Sequence, residues 1–128
     1  METLEEYIKK HHRNDEKAKD FVMYLSELLE KHGYQKDSDF YNKAGISRQS
    51  WSVIMSGKSN PSLNTALKIV FTLKLDNHEC KYLLKKAGYT LASSSKFALI
   101  VRYFIENEIY DLLEVNEYLM SEGFDPIF

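Results

Sequence analysis

A single cysteine, Cys80, stands among the 128 residues, so no intrachain disulfide can form and the chain suits a reducing compartment, the cytoplasm. Metal spacings are missing too. His11, His12, His32 and His78 fall at no zinc spacing with that cysteine, and neither a metal nor a cofactor is expected. The two prolines both lie outside the apolar stretches, so little interrupts helical periodicity. No apolar run approaches the ~18 residues that span a bilayer, which excludes a membrane helix. The opening METLEEYIKKHHRNDEK has charges where a signal peptide needs an apolar core. The chain also lacks a Gly-rich phosphate loop, a nucleophile motif and a Cys/His dyad. Glu106 and Glu108 are two positions apart and share no helix face. Catalysis finds no support, and an enzyme is not expected. What remains is a chain of the soluble globular class, 44% hydrophobic and 28% charged. It is long enough for one core with an appended helical hairpin.

The net charge of −2 is not that of a strongly basic nucleic-acid binder. Its distribution says more. Residues 1–35 carry six Lys/Arg against eight Asp/Glu, residues 36–90 nine against four, and residues 91–128 two against seven. Positive charge therefore gathers in the middle, where a phosphate-facing surface needs it, and the C-terminal segment is acidic. Chance imbalance in a small domain is the alternative.

Apolar residues recur at three- and four-residue steps almost throughout, which predicts an all-α protein. A short helix is expected over Glu2–His12, then a longer one capped by Asn14 or Asp15 and stopped at Gly33. Ser38 is the expected cap of a helix to Ala44, and Gly45 makes a tight turn at positive φ. Ser47 caps a helix to Ser56, with Trp51, Ile54 and Met55 apolar. Asn60-Pro61-Ser62 starts Leu63–Leu75, and Asp76 or Asn77 caps Glu79–Ala87. Ser93, Ser94 and Ser95 offer caps for a helix carrying Phe97, Ile100, Val101, Phe104 and Ile105. A last helix carries Leu112, Leu113, Val115, Tyr118 and Leu119. The expected division is residues 1–90 as one body and 91–128 as a helical hairpin packed on it. No strand, repeat or low-complexity tract is foreseen.

The stretch from Gly45 to Ser62, GISRQSWSVIMSGKSNPS, resembles the helix-turn-helix of the lambda-repressor/Cro-like (Xre-type) family. It keeps Gly45, the aliphatic Ile46, Ser47, Ser52, Ile54, Gly57 and Pro61-Ser62 at the family's spacing. The segment GYTLASSSKFALIVRYFIENEIYDLLEVNEYL is similar to a bacterial subgroup with a C-terminal helical extension. That subgroup carries Gly-Tyr-x-Leu, Ser-Ser-x-Phe, Tyr-Phe-Ile-Glu-Asn, Ile-Tyr-Asp and Asn-Glu, and the two resemblances together span residues 20–122. They imply a five-helix body, an N-terminal helix, a C-terminal hairpin, and a role as a DNA-binding transcriptional regulator.

In this family the second helix of the motif enters the major groove. The resemblance thus assigns base reading to Ser47, Arg48, Gln49, Ser50, Ser52 and Val53. Arg48 suits guanine and Gln49 adenine, each bidentate contact discriminating by ~1–3 kcal/mol. Phosphate contacts fall to Lys36, Ser38, Lys43, Lys58, Ser62 and Lys68, with the helix starts after Ser38 and Pro61 supplying N–H groups. Trp51 and Ile54 take the family's buried positions. The chain departs from the pattern at Asp37, where the family prefers a phosphate-clamping Gln, at Met55-Ser56, and at Phe40-Tyr41 in place of Leu-Ala.

With so few cations, one protomer is expected to bind double-stranded DNA weakly, and a homodimer is expected. The exposed surface proposed for it is Phe104, Ile109, Tyr110, Leu113 and Tyr118, although the same residues can instead complete the monomer's core. An alternative function also stands. The fold can serve as a protein-binding adaptor or inhibitor, acting through an aromatic hairpin with Glu106, Glu108, Asp111, Glu114 and Glu117.

Overall fold

A computed structural model describes residues 1–91 and 94–127, with side chains except at 9–17. Among the described residues every regular element is a helix and no strand occurs. The chain is all-α. The order is α1 Leu4–Lys31, α2 Asp37–Lys43, α3 Arg48–Met55, α4 Leu63–Leu73, α5 Asn77–Lys86, α6 Lys96–Glu106 and α7 Leu112–Ser121.

Helix α1 corrects the first expectation. It runs unbroken for 28 residues, so the two N-terminal helices are one, and the side chains of Asn14 and Asp15 lie outside the described residues. No proline or glycine falls within it, and Asn or Asp in a helix interior costs only a few tenths of a kcal/mol, roughly. Thr3 caps it in a reciprocal box: Glu6 N–H donates to Thr3 Oγ1 at 3.2 Å, and Thr3 N–H donates to Glu6 Oε2 at 3.4 Å.

Other boundaries shift by a residue or two. Ser38 is not a cap but lies inside α2, which begins at Asp37 behind Lys36 without a side-chain cap bond. Asp76, not Asn77, caps α5, with Glu79 completing the box. Helix α4 stops at Leu73 because Lys74 turns left-handed at φ 55°. Glu108 does the same after α6 at φ 56°. One stop recurs: an N–H reaches back five residues to an orphan carbonyl, and an apolar side chain follows inward. Ile46 N–H thus donates to Tyr41 O at 2.9 Å, Tyr89 to Leu84 O at 2.8 Å, and Ile109 to Phe104 O at 2.8 Å.

The core is continuous from α1 to the C-terminus. Phe21 and Leu25 of α1, Leu67 and Phe71 of α4, Leu83 of α5, Val101 and Ile105 of α6, Leu119 of α7 and Ile127 belong to one buried cluster. Helix α1 lies against α5, α5 against α6, and α6 against α7. A polar tie joins the C-terminal segment to the body: Tyr110 Oη donates to Leu75 O at 2.7 Å. Within the body Tyr89 Oη donates to Pro61 O at 2.9 Å. Buried Asn116 accepts from Ile127 N–H at 2.7 Å and donates to Ile127 O at 3.1 Å. No described helix is long and apolar enough to cross a membrane.

Candidate nucleic-acid interface

Helix α3 has eight residues, RQSWSVIM, and its two sides differ completely. At about 100° per residue, Arg48, Gln49, Ser52 and Val53 fall on one arc and Trp51 and Ile54 on the other. The structure follows that division. Arg48, Gln49, Ser50, Ser52 and Val53 are exposed, while Trp51 and Ile54 are buried. Arg48 is the helix's one ionisable residue, so the exposed face is weakly positive and contains no carboxylate.

The helix is held at both ends and from behind. Ser47 Oγ accepts from Ser50 N–H at 3.1 Å and donates to Ser50 Oγ at 2.9 Å, so both hydroxyls are engaged in capping. Gly45, at φ 69°, makes the turn from α2, and an added Cβ there meets nothing within 4 Å; the backbone angle is what calls for glycine. At the far end Ser56 Oγ donates to Val53 O at 2.6 Å. From behind, Trp51 packs on Phe40 and Tyr41 of α2, with ring centroids 5.3 Å and 6.0 Å away. The Phe40-Tyr41 pair thus fills the space beside a large indole.

Asp37 has a role that spacing alone did not reveal. Its Oδ2 accepts the indole N–H of Trp51 at 3.0 Å. A buried indole N–H needs an acceptor, and the carboxylate supplies it while also lying in the favourable field of an α-helix N-terminus. The start of α2 is therefore occupied by the chain's own anion. The indole N–H that a tryptophan brings into a buried position was the available signal.

The candidate phosphate residues are spread more widely. Lys36, Lys43 and Lys58 are exposed and Lys68 is half-buried. Ser62 caps α4, accepting from Thr65 N–H at 3.2 Å and donating to Thr65 Oγ1 at 3.1 Å. The first turns of α3 and α4 contain no acid.

The expected apolar surface of the C-terminal hairpin is only partly there. Phe104 is 6% exposed and belongs to the core, because α6 packs between α5 and α7. Tyr110 is tied to Leu75, and Ile109 is half-buried against the core. Leu113 and Tyr118 do stand in solvent, 69% and 48% exposed, and Tyr118 lines a hollow with exposed Leu99 and Tyr103. No group of three metal-ligating side chains occurs among the described residues. No family model, curated protein or solved structure matches the chain.

Proposed function

We propose that the chain is a sequence-specific DNA-binding regulator of the Xre/Cro type, with α2 and α3 as its helix-turn-helix and α3 as the helix that enters the major groove. The observation that carries this reading is the two-sidedness of α3. Its carboxylate-free exposed arc of Arg48, Gln49, Ser52 and Val53 is backed by a buried Trp51 and Ile54. Such a helix presents base-reading side chains on a rigid support. Arg48 and Gln49 read bases, Val53 meets a thymine methyl group, and the α4 start with Lys58 and Lys68 takes phosphates. Engaged in capping, Ser47 and Ser50 position the helix rather than read.

One protomer offers few cations, so the proposal includes a homodimer whose two α3 helices stand ~34–36 Å apart. Leu113 and Tyr118 are the surface proposed for pairing. The single buried thiol fits action in the cytoplasm.

Fluorescence anisotropy tests the reading, using duplex from upstream of the protein's own gene and a scrambled duplex, each at two salt concentrations. Tighter binding to the upstream duplex is expected, lost in an Arg48→Ala/Gln49→Ala variant that keeps its fold. Equal binding by that variant rejects the assignment. The second reading, a protein-binding adaptor, is favoured by a specific feature: exposed Leu99, Tyr103 and Tyr118 line a cavity of about 500 Å³ that also includes Glu114.

A further inference from the structure

A second feature lies away from the α3 face. A cleft of about 640 Å³ runs between α5, the segment after it, and α6. That volume lies within the ~300–1,000 Å³ usual for small-molecule sites. Its floor is apolar: Leu84 and Cys80 are 1% and 2% exposed, and Leu91 is half-buried. Burial pushes the Cys80 thiol up to about 12, with Asp76 adding to the effect, so it stays protonated and apolar.

The walls are cationic. Lys81 and Lys85 are one helical turn apart on α5, both exposed, and Arg102 faces them from α6. No Asp or Glu lines the cleft. Arg102 reaches Glu106 on its own helix at a loose 3.7 Å, but neither Lys81 nor Lys85 forms an ion pair with a described residue. Lys86, 4.7 Å from the Tyr82 ring centroid, adds positive charge at the rim. Two aromatic rings complete the site, and both are held. Tyr82 stacks on His78 at 6.3 Å, and Tyr89 is anchored through its hydroxyl to Pro61.

We infer that this cleft binds a small organic anion with an aromatic or branched apolar body. The body lies on Leu84 and Leu91 between the tyrosines, and the acidic head meets Lys81 and Lys85. Two unpaired ammonium groups above an apolar floor match that amphipathic chemistry, and a neutral ligand leaves them without a counter-charge. The inference is independent of DNA binding, and its test contains no nucleic acid.

The probe is 8-anilinonaphthalene-1-sulfonate, an aromatic body with one anionic head, titrated by fluorescence into the full-length protein. Saturable one-to-one binding is expected, weakened at least ~10-fold in Lys81→Gln/Lys85→Gln and retained in Lys81→Arg/Lys85→Arg. The uncharged N-phenyl-1-naphthylamine is expected to bind more weakly and to ignore the glutamine substitutions. Amide shifts in a nitrogen-15 correlation spectrum are expected around residues 77–91 and Arg102. Absence of saturable binding, unchanged affinity in the glutamine variant, or shifts centred on Tyr103 and Tyr118 overturns the inference.

Discussion

The Asp37 carboxylate accepts the Trp51 indole hydrogen at 3.0 Å, joining the first turn of α2 to the buried side of α3. Trp51 is 4% exposed, so this bond satisfies the donor of a largely buried ring. Asp37→Ala leaves the donor unpaired and is expected to destabilise by about 1–3 kcal/mol in urea unfolding. Asp37→Asn keeps an acceptor and is expected to unfold near wild type. It also removes one negative charge from the proposed DNA-facing side. Duplex binding should then tighten roughly fivefold, the equivalent of about 1 kcal/mol for one charge about 4 Å from a phosphate in water. An unchanged or weaker affinity in that variant places the α2 start away from phosphate.

On the proposed reading, helix α3 separates binding from stability residue by residue. Arg48→Ala and Gln49→Ala alter exposed positions and are expected to change unfolding free energy by less than about 0.5 kcal/mol. Each should lose ~1–3 kcal/mol of discrimination between the specific and scrambled duplex. Trp51→Ala, on the same helix, should cost about 3–5 kcal/mol of stability, because it empties a packed site. Thermal melts paired with anisotropy on the three variants check the contrast. Loss of stability in Arg48→Ala contradicts it.

Asn116 is a buried polar residue with both amide groups used, one accepting from and one donating to the backbone of Ile127. It does for the C-terminal segment what a neighbouring strand does for a sheet edge. Asn116→Ala leaves an N–H and a C=O unpaired in the core, and roughly 2–4 kcal/mol of destabilisation is expected. Asn116→Asp keeps the acceptor and loses the donor, so it should also destabilise. Hydrogen exchange at the Ile127 amide, slow in the wild type, should be fast in Asn116→Ala, which loses the acceptor, and slower in Asn116→Asp, which keeps it; equal acceleration in both indicates a general loosening instead.

Glu79 gives the fold an acid-sensitive joint. Burial works to raise its carboxyl pKa, but the Lys31 ammonium at 2.9 Å, the Asp76 backbone and His32 outweigh that and hold it below its ordinary value of 4.5. His32 Nε2 lies 3.5 Å away, close enough for charge but long for a hydrogen bond. A depressed folded-state pKa stabilises above the unfolded value and is lost as pH falls through the folded one. Stability from Glu79 is therefore fully present above about pH 4.5 and declines below it. Glu79→Gln preserves the cap and should flatten the fall of melting temperature between about pH 5 and 3. An unaltered pH profile in that variant excludes Glu79 as the source.

Much of the architecture was legible because helix starts and stops are local chemistry. Ser47, Ser62, Asp76 and Ser95 cap where spacing placed caps, since a short oxygen-bearing side chain before an apolar period satisfies the first free N–H groups. The division of α3 into buried Trp51-Ile54 and exposed Arg48-Gln49 was equally legible, because a period of 3.6 leaves no other arrangement. The break near Asn14 was misread. A capping residue can also sit in a helix interior, and nothing local distinguishes the two uses.

Composition and periodicity thus determined an all-helical chain, its element order from α2 onward, and which side of α3 is apolar, because all of these depend on neighbours within a few residues. Tertiary packing alone decided which apolar faces are covered. Phe104 and Tyr110 share a pattern with Leu113 and Tyr118, yet α6 lies between α5 and α7 and buries the first while Leu75 anchors the second. Packing also brought Asp37 to Trp51 across 14 positions and Lys31 to Glu79 across 48. It set Arg102 opposite Lys81 and Lys85 around one cleft. Such pairings depend on the angles at which helices cross, and those angles come from the summed fit of side chains across the whole core, which no local window of sequence contains.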